Sequence, residues 1–356
     1  MGAAEHLRVE QLDHEGYEQV LRCHDVASGL DAIIAIHSTV LGPALGGTRF
    51  HAYDEPEEAL TDVLRLARAM TSKAAVAGLD LGGGKAVILG DPATLRTDEF
   101  ILAYGRFVDS LAGAYLTAED VGTTQADMDL IRSVTPHVTG VSESLGGSGD
   151  PSAATALGVL HAMRAAAAHR FGSDDLAGLR VAVSGVGKVG GALVAHLADA
   201  GAQVTIADVD AARVAEVARA HQVEIVAPEV VHRVDCDVLS PCALGGVLGP
   251  TTIPELRCAV VCGSANNQLL DRSDGDRLAA AGVLYVPDYV VNAGGIINIA
   301  EEVGGYDPER AATKVAAIRT TTAEILRLAD AEGTTPAEAA DRLAERRIAD
   351  ADRTRS

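Results

Sequence analysis

The stretch 181–210, "VAVSGVGKVGGALVAHLADAGAQVTIADVD", decides the fold. An apolar run leads into Gly185, Gly187 and Gly190, spaced as G-x-G-x-x-G, and helical spacing follows. A second apolar run then ends at Asp208, 21 residues after Gly187. Strand, glycine turn, helix and strand together make a βαβ unit of the kind that holds a dinucleotide. Each glycine has a reason. Gly185 permits the tight turn, Gly187 lets the backbone approach a pyrophosphate, and Gly190 lets helix and strand pack closely. The helix start, with Lys188 and Val189 beside Gly187, offers unpaired N–H groups to the diphosphate. Asp208 would accept hydrogen bonds from the ribose hydroxyls and repel a 2′-phosphate, so NAD is expected rather than NADP.

The surrounding sequence extends this unit. Short apolar runs alternate with helices at "VDCDVLS" (234–240), "CAVVCGSA" (258–265) and "VLYVPDYVVNAGG" (283–295), which implies a parallel sheet. "SLGGSGDPSA" (144–153) is the most loop-like stretch before it and reads as a linker, followed by a long Ala-rich helix. With 356 residues and a prior of one domain per ~150 residues, two domains are expected. The fold class is α/β. Residues 1–145 are expected to form a first α/β domain, and 146–334 a Rossmann NAD-binding domain. The final helix, about 335–356, is expected to fray at its charged end.

In the first half, residues 17–40 read as a hairpin around "ASGL". "DEPEEALTDVLRLARAM" (54–70) is an amphipathic helix with Pro56 in its first turn, ending near Met70. "KAVILG" (85–90) and "AYLTA" (114–118) read as short strands. A helix starts at "TTQADMDLIRSV", with Thr124 and Asp127 spaced as a capping-box variant.

"KAAVAGLDLGGGKAVI" (73–88) sets Lys73 and Lys85 on either side of what reads as a glycine-rich turn. It is not a P-loop. Leu79 stands at the first glycine position, and Ala86 replaces the hydroxyl that would bind Mg²⁺. "GGSGD" is not a nucleophile elbow either, because Asp150 occupies the last glycine position. Two lysines among Ala, Val, Leu and Gly are costly unless they bind an anion or lose a proton.

Composition narrows the classes. The net charge is −21, which argues against nucleic acid or an anionic membrane as partner. No run of apolar residues is long enough to span a bilayer, and "MGAAEHLRVEQLDHEG" has no apolar stretch of signal-peptide kind. The five cysteines show no C-x-x-C spacing and read as reduced thiols, so a cytoplasmic location is expected. No histidine pair has H-x-x-x-H spacing, and no metal is expected.

The chain resembles a known family. "LGPALGGTRF" (41–50), "RAMTSKAAVAGLDLGGGKAVI" (68–88), "TAEDVGT" (117–123), "GVGKVG" (185–190), "PCALGG" (241–246), "GSANNQL" (263–269) and "PDYVVNAGGIIN" (287–298) are similar, in order, to the NAD-dependent L-amino acid dehydrogenases. These are the leucine, valine and phenylalanine dehydrogenases, relatives of glutamate dehydrogenase. The resemblance implies oxidative deamination of an L-amino acid to a 2-oxo acid, ammonium and NADH, and the reverse. It implies that Lys73 binds the substrate carboxylate, helped by the backbone near Gly46 and Gly47 and by Asn267. Lys85 is then the general base that activates water, and Asp120 relays a proton to and from the departing nitrogen. Thr155, Asn266 and Asn292 are expected on the dinucleotide. The family also implies that 1–145 is the N-terminal substrate and oligomerisation domain, and that a cleft between the domains closes in turnover. It implies that the helix at about 335–356 packs back on the first domain, and that the protein is a homo-oligomer, a dimer or an octamer.

By the same resemblance Leu45, Ala118, Ile296 and Ile299 line the side-chain pocket. All four are apolar, where a glutamate enzyme would need a cation or hydroxyl. Leu45 and Ala118 fit branched-chain substrates, and the isoleucines narrow the pocket toward valine. "HSTVLGPALGGTRF" (37–50) is most similar to the valine enzymes. The alternatives are a phenylalanine or other aromatic L-amino acid dehydrogenase, and a non-catalytic NAD-binding regulatory protein.

Overall fold

The computed structural model describes residues 7–355; the expectations that touch residues 1–6 and Ser356 lie outside the described residues. The chain separates into two compact units. One takes the chain through Asp150 together with Ile299–Pro308 and the end of the chain from Ala344; the other takes Pro151–Asn298 and Glu309–Leu343. The sequence places the boundary five residues earlier, at the loop-like glycines. The chain instead divides where the Ala-rich helix Ser152–Phe171 begins.

The first unit is built on a six-stranded mixed sheet. Its strands are β1 (Leu7–Gln11), β2 (Gln19–Asp25), β3 (Leu30–Ser38), β4 (Ala44–His51), β5 (Gly82–Leu89) and β6 (Tyr115–Glu119), in the order β1-β2-β3-β5-β4-β6. The hairpin read from residues 17–40 is β2 and β3, paired antiparallel. Strands β5, β4 and β6 run parallel. The helix α1 (Pro56–Val76) covers one face, where Ala59, Val63 and Ala67 pack with Ile33, Ala35 and Val87. The helix Asp98–Asp109 covers the other, where Phe100, Tyr104 and Phe107 join Ile34, Ala86 and Ile88. The capping box at Thr124 and Asp127 is present.

Three local expectations need correction. First, α1 runs six residues past Met70, because Thr71, Ala74 and Ala75 continue its buried stripe; Lys73 lies in its last turn. Second, Gly82, Gly83 and Gly84 are not a turn but the first half of β5, between β3 and β4. Their neighbours are the protein's own atoms. A Cβ on Gly82 would strike the Ser38 carbonyl, one on Gly83 the Thr71 backbone of α1, and one on Gly84 would sit 2.9 Å from the Tyr115 ring. Glycine is needed there for helix and strands to close up. Third, the last helix, Pro336–Arg355, does not fray before Arg355. Its Ala344 onward belongs to the first unit, where Arg347 donates to the carbonyl of Ala75 (2.8 Å) at the end of α1. A cation at that carboxyl end complements the helix dipole and adds a second donor to a carbonyl that already accepts from the Gly78 N–H (3.2 Å).

The second unit carries a six-stranded, all-parallel sheet: β7 (Arg180–Ser184), β8 (Gln203–Ala207), β9 (Glu224–Ile225), β10 (Val238–Pro241), β11 (Val260–Val261) and β12 (Leu284–Tyr285). The order β12-β11-β10-β7-β8-β9 is the doubly wound order of a Rossmann sheet, which reverses between β7 and β10. Among the described residues, no helix is long and apolar enough to cross a membrane.

Candidate active site

In the first unit, strand register gathers the candidate residues on one face. Leu45 pairs with Gly83 on β5 and with Leu116 on β6, and Gly47 pairs with Ala118. Side chains alternate along a strand, so Leu45, Gly47, Arg49, Lys85 and Ala118 share the face that α1 covers. Asp120 follows β6 directly on that side. Lys85 is 6% exposed, Leu45 fully buried and Ala118 3% exposed, while Lys73 is half-buried.

The Lys85 ammonium forms an ion pair with Asp120 Oδ2. Burial pushes the Lys85 pKa down, and the Asp120 carboxylate only partly offsets this by favouring the charged form. Burial acts on Asp120 in the opposite sense, but Lys85, the Val121 N–H and Arg49 outweigh it and hold that carboxyl below its usual range. A lysine starts near 10.4 and is mostly protonated at neutral pH. A buried lysine moved down toward the working pH is a usable base.

Glycines make room for this pair. A Cβ on Gly47 would lie 2.9 Å from the Asp120 Cβ and 2.7 Å from the Glu119 carbonyl. A Cβ on Gly46 would collide with the Gly84 carbonyl, and the Gly46 carbonyl accepts from the buried Tyr115 hydroxyl (2.6 Å). The Asp120 backbone is pinned from below: its N–H donates to the Thr123 hydroxyl (2.9 Å), which donates to the Thr48 carbonyl of β4 (2.9 Å).

One member of the cluster has no sequence signal. Arg49 places Nε 3.7 Å from Asp120 Oδ2 and donates through Nη1 to Asp62 of α1 (2.6 Å). It lies inside the quoted "LGPALGGTRF", yet nothing local links it to carboxylates 13 and 71 residues away along the chain. Period-two alternation from Gly47 could have placed it on the same face, had β4 been recognised as a strand.

In the second unit, Gly185 has φ +98°, and a Cβ there would meet Ala243 Cβ at 2.6 Å. A Cβ on Gly190 would strike the Gly185 carbonyl. A Cβ on Gly187 would find only Arg213 Nη1, 4.0 Å away, so the backbone there faces open space. Gly187 is the N-cap of the helix Lys188–Asp199, and no side chain caps it. Uncapped N–H groups behind an open backbone suit a diphosphate, so these residues fit a dinucleotide.

Asp208 is less free than its place in the motif implies. Its Oδ2 accepts from the Val186 N–H of the glycine loop (2.7 Å) and Oδ1 from the Asp210 N–H (2.9 Å). Burial raises its pKa, but these backbone donors outweigh it and keep the carboxyl low. Its first job is to brace the loop, with lone pairs left over for a ribose. Thr155 donates its hydroxyl to the Pro151 carbonyl (3.0 Å), a helix-start bond that leaves only lone pairs for a ligand.

Asn292 donates to Asn266 Oδ1 (2.7 Å) and to the Ser264 carbonyl (3.2 Å), and its own Oδ1 is buried without a partner among the described residues. An unsatisfied buried acceptor beside two exposed asparagines is what an amide-bearing ligand would complete. Asn267 is exposed and holds a left-handed backbone, φ +52°. Ile296 is buried in the second unit, and Ile299 is half-buried in the first. Among the described residues, no cluster of His, Cys, Asp or Glu has the make-up of a metal site.

Comparison with known proteins gives the family. Residues 17–137 match the model of the Glu/Leu/Phe/Val dehydrogenase dimerisation domain. Residues 146–216 and 208–356 match that of glutamate/leucine/phenylalanine/valine dehydrogenase. The chain is 51% identical to leucine dehydrogenase of Geobacillus stearothermophilus, over 93% of this chain and 90% of that protein. It is also 51% identical to valine dehydrogenase of Streptomyces virginiae, over 95% and 96%. The structure of L-tryptophan dehydrogenase from Nostoc punctiforme superposes with a TM-score of 0.87 at 44% identity, covering 95% of this chain and 97% of that one. With both units matched along nearly their whole length, the chain belongs to the Glu/Leu/Phe/Val dehydrogenase family of NAD-dependent amino acid dehydrogenases.

Proposed function

We propose that this enzyme deaminates branched-chain aliphatic L-amino acids, valine first, then leucine and isoleucine, to 2-oxo acids. The observation that carries this reading is the Lys85–Asp120 pair beside the buried apolar side chains of Leu45 and Ala118. NAD, when bound, supplies the hydride acceptor. The Lys73 ammonium pairs with the substrate carboxylate, with the backbone of Gly46 and Gly47 and with Asn267 assisting. Leu45, Ala118, Ile296 and Ile299 receive the aliphatic side chain. None of the four can pair with a second carboxylate, which disfavours glutamate.

Asp120 takes a proton from the substrate ammonium, so that the α-carbon gives up hydride to leave an iminium. Neutral Lys85 then takes a proton from water as the water oxygen bonds to the iminium carbon. Asp120 returns its proton to the nitrogen and the C–N bond breaks. The hydroxyl proton leaves with the nitrogen as ammonium, and Lys85 discharges to solvent. Gly185, Gly187, Lys188, Val189 and Gly190 hold the diphosphate, with Asp208 at the ribose and Thr155, Asn266 and Asn292 toward the nicotinamide.

The valine preference rests on the two isoleucines. One methylene in such a pocket discriminates by about 1–3 kcal/mol. A steady-state panel of valine, leucine, isoleucine, phenylalanine and tryptophan tests it. The highest kcat/KM is expected with valine; a highest value with an aromatic substrate overturns the pocket assignment. We further propose a cytoplasmic homo-oligomer, a dimer or octamer. The five cysteines carry no disulfide, which supports a reducing compartment.

A further inference from the structure

Arg49 is placed unlike any other cation near the site. Its Nη1 is anchored on Asp62, and Asp62 is itself held by the Tyr53 hydroxyl (2.9 Å) and Arg65 Nη2 (3.0 Å). Its Nε is buried and has no hydrogen-bond partner among the described residues. That nitrogen lies 3.7 Å from Asp120 Oδ2, the oxygen that Lys85 also engages. A charge-assisted hydrogen bond would need about 2.7–2.9 Å. The guanidinium is therefore close enough to bond Asp120 after a small movement, but does not bond it in the arrangement where Lys85 is ion-paired with it. A buried donor left over in this way calls for an explanation.

We propose that Arg49 is a positioning residue: anchored by Asp62, its guanidinium holds the Asp120 carboxylate in place while Lys85 is neutral, before Asp120 takes the substrate proton and after it gives it back. The proposal rests on the roles given above to Lys85 and Asp120. Neutral Lys85 can still donate an N–H to Asp120 while its lone pair faces water, but it no longer balances the charge of an ionised Asp120. Without a second cation, the ionised carboxylate would be left buried with no counter-charge whenever Lys85 is neutral and the substrate proton is not on Asp120, which is costly. The charged groups that act on Lys85 are Asp120 after β6, Arg49 on β4 and Asp62 on α1. Strand β3 presents only Ala35 opposite it, and Lys73 lies in the last turn of α1. Arg49 opposes protonation of Lys85, while Asp120 and Asp62 favour it.

A purely structural ion pair between β4 and α1 would affect melting temperature and nothing else. The positioning role predicts opposed shifts in the pH at which deamination switches on. In Arg49→Gln, the rising limb of kcat/KM against pH moves up by about half a unit or more, and kcat falls about tenfold. In Arg49→Lys, which keeps the charge, the limb stays and kcat recovers in part. In Asp62→Asn, the limb moves down. The pH dependence of Lys85 labelling by an amine-acylating reagent, read by peptide mass, reports the same proton without turnover.

A wild-type Lys85 that titrates like a solvent lysine overturns the assignment of the base, and this proposal with it. A depressed wild-type limb that neither Arg49→Gln nor Asp62→Asn moves overturns the role of Arg49 alone. Should Arg49→Gln fail to fold, the other two variants decide by the same criteria.

Discussion

Lys85 on β5 reaches Asp120, just past β6, across the intervening strand β4, and it does so over Gly47. The two strands are not neighbours. Any side chain on β4 at that point would stand between the ammonium and the carboxylate, and a Cβ there would already crowd Asp120 at 2.9 Å. The acid–base pair is thus a property of three strands in register, one of which contributes an absence.

Gly47→Ala tests that relationship. The added methyl must push Asp120 or the Glu119 carbonyl aside, and both belong to a backbone pinned through Thr123. Misplacing a reacting group by about an ångström can cost on the order of 100-fold. We expect kcat to fall by about that factor, with NAD affinity, measured by calorimetry, unchanged. An unaltered kcat would mean that Asp120 need not sit where it does.

Asp120→Asn removes the partner that favours charged Lys85. Burial then acts on Lys85 with less opposition, so its pKa falls further. The rising limb of kcat/KM should shift to lower pH while the plateau drops, because the proton relay to nitrogen is lost. General acid–base groups contribute about 10²–10⁴-fold, which sets the size of the drop. A limb that moves to higher pH would contradict the electrostatics of the pair.

Asp208→Ala should relax the preference for NAD over NADP. It should also weaken both dinucleotides, because the Val186 N–H of the glycine loop loses its acceptor. Dissociation constants for the two cofactors separate these effects. A preference left as it was would take the ribose role from Asp208 and leave only the loop-bracing one.

The second unit was legible because its signal is local. Gly185, Gly187, Gly190 and Asp208 lie within one βαβ stretch, where Gly190 packs on Gly185 and Asp208 accepts from Val186. The first unit was legible only in parts. The hairpin β2–β3 and the start of α1 follow from alternation and from Pro56, but β4 carries Gly46 and Gly47 in mid-strand, where glycine is normally depleted. It therefore gave no strand signal. Gly82 to Gly84 misled for the same reason. They read as a turn, and only the contact with Thr71 of α1 and Ser38 of β3 shows why a strand would be made of them. Arg49 was hidden because its partners, Asp62 and Asp120, come from other elements.

The most direct test of the central claim is turnover by Lys85→Ala with valine and NAD, alongside NAD binding. Deamination should be lost by about 10²–10⁴-fold or more, with the dinucleotide bound as tightly as in the wild type. Retention of wild-type kcat would remove Lys85 from the chemistry and contradict the mechanism built on it.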